Sequence, residues 1–306
     1  VKEIIVTYLN MDLVTTIFST PSLSGREELV LSAIKEFAEK NGWPTRTDAY
    51  GNMYVQKGSL EDGEKFPVLV AHVDTVHHAH LALIEAGKSL DIREENGELR
   101  AYYPGTDMQT GIGGDDKAGV IVALEILSRI EKGLCAFFRD EEPGCLGSLN
   151  LHRPTMDQGG YAIQFDAPGN EASVYVDGVK LYDDTFRDLI SPVLVAFGAD
   201  DFVEYNPYTD IARVRERLDY NTLNMGAGYH NYHTSSEYVV VSEMERAVAC
   251  AVELVQTLGN KLYLFDESDV TVEVEYGKDA WEAGDWCEDQ WVDEREDQWV
   301  DKRRYF

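Results

Sequence analysis

Cysteine is scarce in this chain: Cys135, Cys145, Cys250 and Cys287 are the only four, and no two stand in CxxC spacing. That excludes a cysteine-rich zinc site and a disulfide framework, and it fits a reducing compartment. Positive charge is also in short supply. Lysine and arginine total 27 against 56 aspartates and glutamates, for a formal charge of −29. Such a field repels nucleic-acid phosphates and anionic membrane surfaces, so neither is expected as a partner, whereas cationic or neutral ligands are favoured. No long apolar run is present. The opening VKEIIVTYL is too short and too charged for a signal peptide or a span, so a cytoplasmic, intracellular location is the expectation.

What the chain does contain is 44 % hydrophobic residues, enough for a large core. Two helices are expected between Leu13 and Gly42, the second carrying Leu29, Val30, Ala33, Ile34 and Phe37 on one face. Strand-like pieces follow at Thr45–Tyr50 and Met53–Lys57, and Ile92–Tyr103 reads as a hairpin turning at Asn96-Gly97. FPVLVAH, LCAFF and GYAIQFD are short, continuously apolar runs of the kind found in buried parallel strands. DDKAGVIVALEILSRIEKG and SEMERAVACAVELVQTLG read as helices, and GSLNLH as a short helix stopped by Pro154. This alternation predicts an α/β fold, a mixed and mostly parallel central sheet covered by helices, with its site beyond the carboxyl ends of the strands.

Composition shifts near Phe265, dividing the chain into a main domain, 1–265, and an acidic tail, 266–306. The tail repeats itself as EDQWVDER and EDQWVDKR and holds Trp281, Trp286, Trp291 and Trp299, four of the five tryptophans. Aromatics are unusual in a solvated tail. Docking on the body or on a protein partner is therefore expected of it, without chemistry of its own.

Residues with ligand chemistry cluster after the apolar runs. AHVDTV supplies His72 and Asp74, GIGGDDKAG supplies Asp115 and Asp116, and RDEEPG supplies Glu141 and Glu142. YAIQFDAPG adds Asp166, and GAGYHNYHTSSEYV adds His230 and His233. Taken singly, these are a surface pair, a helix cap and a solvated turn. Together, in this order at successive strand ends, imidazoles and carboxylates without thiols form the donor set of a hydrolytic zinc, cobalt or manganese site. Two histidines and three carboxylates suffice for two ions sharing one carboxylate. Asp74, two residues after His72, shares its face of the strand and can orient the imidazole.

The stretches PSLSGREE, HVDTV, GGDDKAG, DEEPGCLGS, FDAPG and TDIARVRERLDYNTLNMGAGYHNYHTSSEYV, spanning roughly Ser19 to Val240, resemble the co-catalytic di-zinc exopeptidases. That group contains peptidase T, carboxypeptidase G and aminoacylase. The resemblance implies a three-layer αβα, phosphorylase/hydrolase-like fold holding two divalent metal ions, zinc first, with cobalt or manganese as alternatives. It assigns His72 and Asp166 to one ion, Glu142 and His233 to the other, and Asp115 as the bridge. Glu141 becomes the general base and Asp74 the residue orienting His72. The peptide after the bridging aspartate, Asp115–Asp116, is expected to be cis. His233, followed by Glu237-Tyr238, fits the family spacing better than His230. His230, Tyr229 and Gly228 fall on the substrate side.

His77, His78 and His80 have no counterpart in the family and read as a solvated loop past the site, or as pocket rim. Cys145 and His152 read as packing, and Asp140 as a supporting or solvated residue. Relatives of peptidase T insert a lid or dimerisation domain between the aspartate and the last histidine, but Asp166 and His233 are only 67 positions apart, too few for one. Aspartate at 166 leans toward the aminopeptidase branch. The expected function is hydrolysis of small peptides by an aminopeptidase. The alternatives are an amidohydrolase or deacylase on a non-peptide amide and a non-catalytic binding protein.

Overall fold

Asn10 opens the first helix by accepting the N–H groups of Asp12 and Leu13, satisfying donors that a helix start leaves free. The computed structural model describes residues 8–199, 201–203, 206 and 208–270, so the tail beyond 270, with its repeat, lies outside the described residues. Helix α1 (Met11–Ser19) buries Leu13, Val14, Ile17 and Phe18, and α2 (Glu28–Lys40) buries Val30, Leu31, Ile34 and Ala38. Strand β1 (Thr45–Thr47) pairs antiparallel with β2 (Met53–Lys57). It stops three residues earlier than the sequence suggests. Asp48 accepts the N–H groups of Tyr50, Gly51 and Asn52 and folds the chain over.

Next come β3 (Phe66–His72), α3 (His80–Ala86), and the hairpin β4 (Asp91–Glu95) and β5 (Glu98–Tyr102), joined at Asn96-Gly97 with both residues at positive φ. Then follow β6 (Gln109–Thr110), α4 (Gly114–Arg129), β7 (Gly133–Phe138), α5 (Leu146–Leu149), α6 (Arg153–Met156) and β8 (Gly159–Ala167). Pro154 does not stop α5. It sits in the first turn of α6, where a missing N–H costs nothing. The chain continues through β9 (Glu171–Ser173), β10 (Tyr175–Val176), β11 (Val179–Lys180), α7 (Asp184–Phe197), β12 (Asp201–Val203) and α8 (Asp210–Arg217). It closes with β13 (Thr222–Gly226), β14 (Tyr229–His230), β15 (Tyr238–Val240) and α9 (Val241–Leu258).

The main sheet runs β1-β2-β7-β3-β8-β13-β9-β12. Its centre is parallel, β3 pairing with β7 on one side and β8 on the other, and β13 running alongside β8. Antiparallel pairings appear toward the edges, at β1–β2, β2–β7 and β13–β9. Every residue of β3 and β7 is buried, as strands covered on both faces must be. Helix α4 packs on β3, β7 and β8 with α1 and α9 behind it, while α8 packs on β3, β8, β13 and α5. Enclosed between sheet and helices, α4 is buried on all sides from Gly114 to Leu127, hence its weak amphipathic pattern. A smaller sheet, β14-β15-β5-β4, lies on the same unit, with β6 on β5. No described helix is long and apolar enough to cross a membrane.

Helix α5 presses its Gly147 onto the end of β7. A Cβ there would lie 2.3 Å from the Arg139 carbonyl oxygen and 2.7 Å from its nitrogen, both rigid backbone atoms. Gly147→Ala is expected to destabilise the protein by about 1–3 kcal/mol through overpacking, read as a shift of the urea midpoint at unchanged slope.

Candidate metal centre

The carboxyl ends of β3, β7 and β8 deliver His72, the Asp140–Glu142 turn and Asp166 to one place. His72 ends β3, and its N–H donates to Asp116 Oδ2 at 3.1 Å. Its Nδ1 faces Asp74, 3.2 Å from the carbonyl and 3.3 Å from Oδ1. Its Nε2 lies 3.0 Å from Asp115 Oδ1 and 3.8 Å from Asp166 Oδ1. His233 approaches from the loop between β14 and β15, its Nε2 3.1 Å from Asp115 Oδ2 and 3.3 Å from Glu142 Oε2. The two oxygens of Asp115 thus face two different imidazoles. All five residues expected to hold ions converge here, and the Asp115–Asp116 peptide is cis. Among the described residues, two sets of donors lie close enough to share an ion: His72, Asp115 and Glu142, and His72, Asp116 and Asp166. The carboxylate of Asp116 is already committed to the N–H groups of His72 and Gly119.

Asp74 joins three of the sequence motifs. It accepts the N–H of Glu141 at 3.0 Å, the N–H of Glu142 at 3.2 Å and the Ser24 hydroxyl at 2.8 Å. Burial works against its ionisation, but the His72 imidazole and these donors outweigh it and hold the carboxyl below its ordinary range. The neighbouring turn is equally divided. Arg139 pairs with the buried carboxylate of Glu27, and Asp140 accepts the Tyr50 hydroxyl at 2.9 Å. Glu141 is 5 % exposed and receives the Cys145 thiol on Oε1 at 3.5 Å. Glu142 leaves Oε1 buried without a hydrogen bond.

The electrostatics are those of too many carboxylates for the positive charge available. Burial raises Glu141 well above its ordinary range, aided by Asp166, Asp210 and Glu142. Burial and the Asp115 charge push Asp166 up to about 7. His233 is driven the other way from a buried imidazole: burial would lower it, but Asp115 and Glu142 raise it to about 10. Converging buried carboxylates, an orphaned Glu142 oxygen and an all-N/O donor set fit divalent cations, which would remove the repulsion.

Asp166 is braced by three side chains. Thr209 Oγ1 and Gln164 Nε2 donate to Oδ2, at 2.5 and 3.1 Å, and the Tyr229 hydroxyl donates to Oδ1 at 3.1 Å. Tyr229 therefore reaches the cluster. His230 instead pairs with Glu243 at 2.7 Å and stacks on Tyr238, and the Gly228 N–H is taken by the Gly169 carbonyl. Of the three loop histidines only His78 is exposed. His80 is buried between the carbonyls of Ser22 and Gly111, and burial lowers it to about 3. His77 lies on Glu237 at 2.7 Å. A solvated loop describes His78 but not the other two: His80 opens α3 (His80–Ala86) and is buried with Leu83, and His77 is held by Glu237.

Sequence reasoning assigned no role to Thr209, Gln164, Asp210 or Glu237. Asp210 is fully buried, and burial raises it to about 7 despite the His72 imidazole and the Ser148 hydroxyl nearby. Thr209-Asp210 and Glu237 do lie inside stretches that carry the resemblance, which is the only signal that could have singled them out.

No family model and no curated protein matches the sequence. Solved structures do match. The aminopeptidase PepT from Bacillus cereus superposes with a TM-score of 0.64 at 14 % identity, covering 82 % of this chain and 99 % of that one. A tripeptidase from Staphylococcus aureus gives 0.63 at 13 % identity, over 82 % and 98 %. The TET1 peptidase of Pyrococcus horikoshii gives 0.56 at 17 % identity, over 82 % and 99 %. At these identities the likeness is one of fold.

Proposed function

We propose that this chain is a di-metal aminopeptidase that hydrolyses the first peptide bond of small peptides. One observation carries the reading: the two oxygens of Asp115 lie 3.0 and 3.1 Å from the imidazoles of His72 and His233. His72 and Asp166 would hold one divalent cation, Glu142 and His233 the other, and Asp115 would be shared. Bound there, two zinc ions, with cobalt or manganese as substitutes, supply Lewis-acid polarisation of the scissile carbonyl and acidify water.

The remaining steps fall to the chain's own groups. Glu141, raised by burial, takes the proton of the attacking water and returns it to the leaving amine. Asp74 fixes the imidazole of His72 and, through the N–H groups of Glu141 and Glu142, places base and ligand together. Tyr229, Thr209 and Gln164 hold Asp166 in its orientation.

The substrate end follows from charge. The cations beside the cluster are committed, Lys117 to the carbonyls of Phe18 and Thr20, Arg139 to Glu27 and Glu28. A substrate carboxylate finds no counter-charge from them, whereas a free α-ammonium is drawn into an acidic field. Kinetics of the zinc- or cobalt-loaded protein on matched free and N-acetylated aminoacyl anilides test this. The free-amine substrate is expected to have the higher kcat/KM by at least about 100-fold. A preference for the acetylated partner would make the protein a deacylase. Protein that binds no transition metal would overturn the whole reading.

A further inference from the structure

Glu237 is fully buried beside β15, 122 residues from Asp115 in sequence yet bonded to it. Its Oε1 accepts the Asp115 N–H at 3.1 Å, and its Oε2 accepts the Gly113 N–H at 2.7 Å and faces His77 Nε2 at 2.7 Å. One carboxylate therefore grips the backbone on both sides of Gly114, including the residue whose side chain faces both imidazoles. His77 completes the grip. With Glu237 as acceptor, its Nε2 carries the proton, and its ring lies directly on the backbone of Gly111, where an added Cβ would come within 1.9 Å of it.

The glycines of GIGGDD now have a cause. Gly114 has no room for a Cβ beside Tyr229 and Val239, and Gly113 sits at φ 68. The segment is bare so that it can lie against these two side chains. Free backbone there would let the Asp115 carboxylate pivot, and a shared ligand must keep one oxygen toward each ion.

We propose that His77 and Glu237 are a positioning pair for the two-ion centre, holding residues 111–115 so that the oxygens of Asp115 stay divided between the ions. The inference rests on the two-ion reading above and names residues that neither touch an ion nor the substrate. Metal binding itself is the readout, measured by calorimetric titration of Zn²⁺ and by Co²⁺ absorption into the full-length, metal-free protein. Wild type is expected to take up two ions. Glu237→Gln, which loses one acceptor, and His77→Phe, which keeps the ring but not its donor, should each weaken ion uptake about 10–100-fold, as loss of an orienting partner does. Their far-UV spectra and metal-free melting temperatures should stay near wild type. His77→Gln restores an N–H at similar reach and should recover most of the affinity.

Wild-type affinity for both ions in His77→Phe and Glu237→Gln would overturn the pairing. So would affinity lost only in step with the melting temperature, with His77→Gln no better than His77→Phe. Should Glu237→Gln fail to fold, the two His77 variants decide. A wild-type protein that takes up no ion would instead overturn the two-ion reading, and this inference with it.

Discussion

Replacing Glu141 by glutamine is expected to lower kcat by about 10²–10⁴-fold, the usual share of a general acid–base group, with ion content and KM near wild type. Glutamine has the volume of glutamate and keeps the backbone N–H that Asp74 accepts. It cannot take a proton. Because Glu142, not Glu141, faces His233, the ions should stay. Metal analysis alongside turnover separates the two effects. Full turnover in the variant would remove Glu141 from the reaction, and a parallel loss of ions would recast it as a ligand.

Asp115→Asn is expected to be at least as damaging for a different reason. An asparagine offers one carbonyl oxygen and cannot present an oxygen to both imidazoles. Ion uptake should fall from two to one or none, and activity by about 10³-fold or more, since several kcal/mol of transition-state stabilisation go with a polarising ion. Chelation of wild type should abolish activity and added zinc should restore it. The same addition should fail in the variant. Two ions bound to Asp115→Asn with wild-type affinity would mean that the shared carboxylate is another residue.

How much of this could be read beforehand depends on whether the signal was local. The runs that became β3, β7 and β8 are local: six apolar residues ahead of His72 in FPVLVAH have the length and composition of a strand covered on both faces. That His72, Asp115, Glu142, Asp166 and His233 come together was legible because their motifs are short and ordered. Asp48 and Pro154 were misread at the scale of a single turn, where one side-chain oxygen or one position within a helix start decides the outcome. His77 was misread for the opposite reason. Its partner, Glu237, is 160 residues away, and no periodicity announces such a contact. Asp140 reads as a supporting or solvated residue, and the partner that makes it a supporting one, Tyr50, is 90 residues earlier and equally invisible to local pattern.

The chain order of the centre has a consequence in time. His72, Asp115, Glu142 and Asp166 leave the ribosome first, and His233 and Glu237 follow well behind. At about 5–20 residues per second, a growing chain spends several seconds without His233 and with the Asp115 segment ungripped. On the two-ion reading proposed above, a site that closes only with the arrival of His233 and Glu237, around β14 and β15, stays idle until every strand of the main sheet has been made. With the positioning role proposed for Glu237, its long-range bonds would tie the onset of activity to the end of folding.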